Sequence, residues 1–129
     1  VEISYDEKPY QNVINNQVLA DLYKKNAESL GVEFCTDESK LGESLGSTDM
    51  GNVTHVVPGI HPVYYIGTEA ANHTREFAEA AGAKTAQKYT LDQGKALAMA
   101  AIEIFHDPSL CERMKKKFEE DLIIDRATQ

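Results

Sequence analysis

Cysteine is scarce here: the 129 residues hold two, with no CxxC pair. Two lone thiols fit a reducing compartment better than a disulfide scaffold, with a single bridge as the alternative. Cys35 and Cys111 read as inert packing thiols suited to a reducing compartment, so the cytoplasm is the expected location. Basic residues are also in the minority. Thirteen Lys and Arg face twenty-one Asp and Glu, for a net charge of −8. No electrostatic footprint for nucleic acid or anionic lipid follows from that balance, and neither partner is expected. No apolar run approaches the roughly 20 residues of a membrane span, and no signal-peptide pattern opens the chain. HExxH is missing, which leaves no local zinc pair, and no GxSxG elbow surrounds Ser47. The first residue is Val1, already inside a strand-like run; this predicts a cut or processed chain.

The apolar fraction of 42% and charged fraction of 26% are those of one globular domain. "VEISYD" alternates Val1, Ile3 and Tyr5 with polar residues, the pattern of a half-buried strand. Pro9 sits in a linker. Asn15 or Asn16 caps a helix whose apolar face is Val18, Leu19, Leu22, Tyr23, Ala27 and Leu30, with Gly31 as its left-handed stop. Residues 32–34 form a short strand that enters a polar loop. "PVYYIG", residues 62–67, is too apolar to face water and predicts an inner strand covered by helices. A short helix over 74–81 stops at Gly82. A long one over 84–105 presents Ala86, Tyr89, Leu97, Ala98, Ala101, Ile102 and Phe105. The last helix is capped by Asp107 with Pro108 in its first turn, repeats Leu110, Met114, Phe118 and Leu122, and ends before a "DRATQ" tail. The fold class expected is α/β, with few strands for its four helices. So small a sheet would have exposed edges standing alone, which predicts a part of something larger.

Four histidines carry the metal question. His106 ends a helix, where a cation suits the macrodipole. His73 follows the predicted strand and precedes a helix, the region where open α/β sheets bind ligands; a plain neighbour of a capping Asn72 or Thr74 fits equally well. Gly46, Ser47, Thr48 and Asp49 open a turn whose backbone N–H groups suit a carboxylate or phosphate. An ordinary Ser/Thr/Asp cap is the commoner meaning of such a triplet. A hydrolytic metal centre needs about three or four protein ligands and a general base. No H-x-D segment is present to supply them.

Taken together, "GSTDMGNVTHVVPGIHPVYYIG" from Gly46, "NHTREFAEAAG" from Asn72 and "AQKYTLDQGKALAMAAIEIF" from Ala86 resemble the C-terminal part of the zinc amidohydrolase and dipeptidase family. That family includes aminoacylases, glutamate carboxypeptidases and p-aminobenzoyl-glutamate hydrolases. The resemblance is nearest to the β-alanyl-lysine dipeptidase-like branch and covers the chain from about Tyr10 onward.

The resemblance implies the C-terminal portion of a three-layer α/β/α catalytic domain over 9–129, preceded over 1–8 by the end of a lid strand and a linker. It implies hydrolysis of amide bonds in N-acyl amino acids or dipeptides, with water bridged between two zinc ions, in a homodimer. His73 matches the family's last metal ligand. Gly46, Ser47, Thr48 and Asp49 match its substrate-carboxylate loop, and His61 matches a substrate-contacting or supporting position. The family's H-x-D segment, bridging Asp, Glu-Glu pair and lid His are absent from this sequence. No catalytic residue is therefore assigned, activity belongs to a complete parent polypeptide, and the chain alone is expected to be inactive. A non-catalytic binding or oligomerisation module is the rival reading.

Overall fold

The computed structural model describes residues 1–4, 9–36 and 46–128. Among these it contains five helices and no strand: α1 Gln17–Ser29, α2 Met50–Thr54, α3 Arg75–Gly82, α4 Lys84–His106 and α5 Pro108–Thr128. The expected α/β class, and with it the three-layer α/β/α portion, is corrected to an all-helical fold. A strand exists through hydrogen bonds to a neighbour. Residues 32–34 and 62–67 have the strand-like composition but belong to no ladder. Val63 and Tyr65 are 73% and 52% exposed, so the run read as too apolar for water stands in it. Residues 1–4 form no strand either; the rest of "VEISYD", the expected boundary after residue 8 and loop residues 37–45 lie outside the described residues.

The chain divides into two compact units. The first comprises Val1–Ala20, Cys35–His61 and Ser109–Gln129, the second Asp21–Phe34 and Pro62–Pro108. In the first, Asn16 rather than Asn15 is the α1 cap: its Oδ1 accepts from the Leu19 N–H at 3.2 Å. The same side chain, 2% exposed, donates through Nδ2 to the Met114 carbonyl of α5 at 2.9 Å. Helix α5 starts at Pro108 as expected and buries Leu110 and Met114. It runs on to Thr128, so the "DRATQ" tail is mostly helix. Lys117 is only half exposed and pairs with Asp121 one turn on, at 2.6 Å.

The second unit is built on small apolar contacts. Leu22, Tyr23 and Ala27 of α1 are buried, as their spacing predicts. Gly31 (φ 83) ends α1 in a Schellman arrangement: its N–H bonds the Glu28 carbonyl at 2.9 Å and the Val32 N–H bonds that of Ala27 at 3.1 Å. Phe34 packs edge-on against Tyr23, centroids 6.2 Å apart, and the Tyr23 hydroxyl donates to Gln93 Oε1 of α4. Burial, and after it the neighbouring Tyr64, pushes the Tyr23 hydroxyl above its ordinary pKa. Helix α3 packs on α4. The face that α4 buries is Ala86, Gln93, Ala96 and Ala100. Of the seven residues predicted for it, Ala86 alone is buried, and Phe105 is 87% exposed. Packing space selected the alanines; apolarity alone selected the larger side chains.

Candidate functional site

Residues 46–61 form the first part of the candidate site, all in the first unit. Gly46, Ser47 and Asp49 are exposed and Thr48 is half-buried. Asp49 stands at the start of α2 without a side-chain cap bond. The Thr48 hydroxyl instead accepts from the Met50 N–H at 3.2 Å, so the expected cap role moves back one residue. That leaves the Asp49 carboxylate outside the cap of its own helix.

Behind this loop, α2 is fastened to the extended segment 9–16 almost entirely by polar bonds. Asn52 accepts from the Gln11 N–H and donates to the Pro9 carbonyl, each at 3.1 Å. Thr54 Oγ1 accepts from the Ile14 N–H at 3.0 Å and donates to the Gly51 carbonyl at 3.1 Å. A Cβ on Gly51 would lie 1.8 Å from the Gln11 carbonyl oxygen, so no other residue fits there without moving backbone. The His55 ring bonds the Asn12 carbonyl through Nε2 at 3.1 Å, which assigns its proton to that nitrogen. The Gly59 carbonyl accepts from the Asn16 N–H at 2.9 Å, and Asn15 Oδ1 accepts from the His61 N–H at 3.2 Å. His61 is exposed and anchored by its backbone.

His73 belongs to the second unit. Thr74, not Asn72, caps α3: its hydroxyl accepts from the Phe77 N–H at 3.1 Å and donates to the Ala71 carbonyl at 2.7 Å. Asn72 Oδ1 instead accepts from the His73 N–H at 2.9 Å. His73 takes φ 66, the only non-glycine among the described residues in the left-handed region. That conformation costs a residue with a Cβ about 1–2 kcal/mol. The histidine therefore stands in a left-handed turn beside the Thr74 cap, with its side chain exposed.

His106 bonds the Ile102 carbonyl of its own helix through Nδ1 at 3.1 Å, a local structural role. Cys35 is exposed and Cys111 half-buried, and neither is in a disulfide. No group of three or more His, Cys, Asp or Glu side chains that would hold a metal is gathered among the described residues. A zinc centre needs about three or four ligands, so the residues present do not by themselves fit one. Two surface grooves accompany the site. One, of about 370 Å³, lies between residues 13–17 and α5; the other, of about 280 Å³, between residues 62–66, α3 and α4. Neither is lined by residues 46–49, His61 or His73.

Reading the sequence alone missed Gly51, Asn52 and Thr54. The available signal was a glycine inside the turn "MGNVT", since a glycine in a helical stretch marks a close approach.

No protein-family model matches the chain. Over 119 residues it is 48% identical to the Xaa-Arg dipeptidase of Mus musculus and 45% identical to the Xaa-Arg dipeptidase of Homo sapiens. The matched stretch is 92% of this chain but 28% and 27% of those proteins. The chain spans less than a third of the length of the curated relatives it matches. Among the described residues no helix is long and apolar enough to cross a membrane. What this chain is similar to is a stretch of a dipeptidase.

Proposed function

We propose that this chain is part of a dipeptidase and supplies substrate-contacting and metal-binding residues to it. The observation that carries the reading is the 48% identity over 119 residues to a protein named Xaa-Arg dipeptidase. Gly46, Ser47, Thr48 and Asp49 receive the substrate's carboxylate end, and His61 is a substrate-contacting or supporting residue. Exposure of the loop and its rigid backing by α2 support this role. His73 is one metal ligand, supported by an exposed imidazole in a strained turn. The metal is zinc, and its other ligands come from outside these residues. When bound, zinc supplies Lewis acidity and an activated water; this chain's part is to hold one coordination direction and the substrate end. The substrates are dipeptides, with a C-terminal arginine as the first choice to test. The reading takes the protein as a cytoplasmic homodimer, in keeping with its lone thiols.

The test uses the full-length natural protein, alanyl-arginine as substrate and measured zinc content. Release of free arginine is expected, with His73→Ala removing at least about a hundred-fold of kcat/KM and lowering bound zinc. Intact dipeptide with zinc supplied would overturn the function. Unchanged zinc in the variant would overturn the ligand assignment.

A further inference from the structure

Thr54 is fully buried, at 0% exposure, in a unit whose neighbouring lock is otherwise partly open to water. Its hydroxyl is used twice: it accepts from the Ile14 N–H and donates to the Gly51 carbonyl. Its methyl is used as well, because Cγ2 lies 3.1 Å from where a Cβ on Gly59 would be. One side chain therefore meets three backbone stretches. These are segment 9–16, the start of α2 directly after Asp49, and the turn that leads into His61. A valine would keep the shape but leave the part-buried Ile14 N–H without its acceptor, the costly half of a hydrogen bond. A serine would keep both bonds and lose only the methyl.

We propose that Thr54 is a positioning residue: its buried hydroxyl sets the placement of both the Gly46–Asp49 loop and His61 relative to the substrate. This rests on the dipeptidase reading for its catalytic meaning. Thr54 touches no substrate; it acts by fixing Gly51 and Ile14, and through them the backbone on either side of α2. A small misplacement of a binding loop weakens substrate positioning without touching the metal or its water. The effect belongs in KM more than in kcat.

The experiment compares Thr54→Val, Thr54→Ser and the milder Asn52→Ala in the full-length protein. Each is assayed for alanyl-arginine hydrolysis, zinc content and melting temperature, with amide hydrogen exchange followed across residues 46–61. Thr54→Val is expected to raise KM about ten-fold with kcat and zinc within about two-fold of the parent. Asn52→Ala, which frees the Gln11 N–H at the exposed edge, is expected to raise KM about three-fold. Thr54→Ser should restore KM even though its melting temperature falls with the lost methyl. KM rising in step with lost melting temperature in both Thr54 variants would overturn the proposal, as would unchanged KM in Asn52→Ala and Thr54→Val. If Thr54→Val does not fold, Asn52→Ala and Thr54→Ser decide the matter. If the parent cleaves no dipeptide, the function falls separately, and exchange decides the pin. Faster exchange over 46–52 and 59–61 in Thr54→Val, with α5 unchanged, sustains it; unchanged exchange there overturns it.

Discussion

The two units solve the same packing problem with opposite materials. In the first, Asn16 and Thr54 are the most deeply buried large side chains, and segment 9–16 is tied to α2 by side-chain-to-backbone bonds. In the second, Ala27, Ala86, Ala96 and Ala100 are buried, and one hydroxyl-to-amide bond, Tyr23 to Gln93, crosses between α1 and α4. Polar bonds are directional, so they hold the backbone they join in one arrangement. Alanine contacts are not directional; they let two helices approach closely and tolerate small slides. The contrast places rigidity behind residues 46–61 and leaves the larger side chains of α4 at the surface, where Leu97, Ile102 and Phe105 are exposed.

The largest effect expected comes from breaking the polar unit at its tightest point. Gly51→Ala puts a methyl 1.8 Å from the Gln11 carbonyl oxygen. Backbone must move, so the loss should reach or exceed the top of the roughly 1–3 kcal/mol range for overpacking. Denaturant melts would measure it, and hydrogen exchange should rise first in 9–16 and 46–61. An undisturbed melt would show that segment 9–16 gives way easily and that the lock is soft.

Next comes the alanine unit. Ala96 is 0% exposed, and Ala96→Leu should cost about 1–3 kcal/mol by forcing α4 away from its neighbours. Denaturant melts would read the loss, while exchange should rise over α4 and the 21–34 region. A neutral result would mean that this helix contact adjusts freely, which would sharpen the contrast with Gly51.

The smallest effect is electrostatic. Lys25 of α1 pairs with Glu103 of α4 at 2.9 Å, and Lys25 first, then Asn26, hold the Glu103 carboxyl below its ordinary range. A lowered folded-state pKa means stability that is present above the unfolded carboxylate pKa and lost as pH falls through the lower, folded one. Melting temperature should therefore fall slightly further on acidification in the parent than in Glu103→Gln. Both groups face water, so the difference should be small and should shrink with salt. Equal acid sensitivity would remove the pair from the account.

The local signals were legible, because helix ends are written in neighbouring residues. Asn16, Gly31, Thr74 and Pro108 each act within a few positions of themselves, and the helices they bound appear with errors of one or two residues. The tail is the exception: "DRATQ" carries no strong breaker, and α5 continues through it. Strands were misread because alternation and apolar runs state a preference while a ladder needs a second segment. For the site, residue type and order were visible, as was the glycine-flanked loop. The cap at Thr48 in place of Asp49 and the left-handed backbone of His73 were not, since each depends on one torsion angle that several sequences accommodate.

By itself, the sequence determined where most of the helices begin and end, that few thiols and little positive charge are available, and which residues stand at candidate positions. Those properties act over one to four residues and survive any arrangement of the rest. Only tertiary structure decided that α4 buries alanines instead of Leu97 and Phe105, that Gly51 admits no side chain, and that Thr54 joins three backbone stretches. Each of these depends on atoms about 40 positions away or more (Thr54 to Ile14, for instance, is a separation of 40), and no local pattern encodes such a distance.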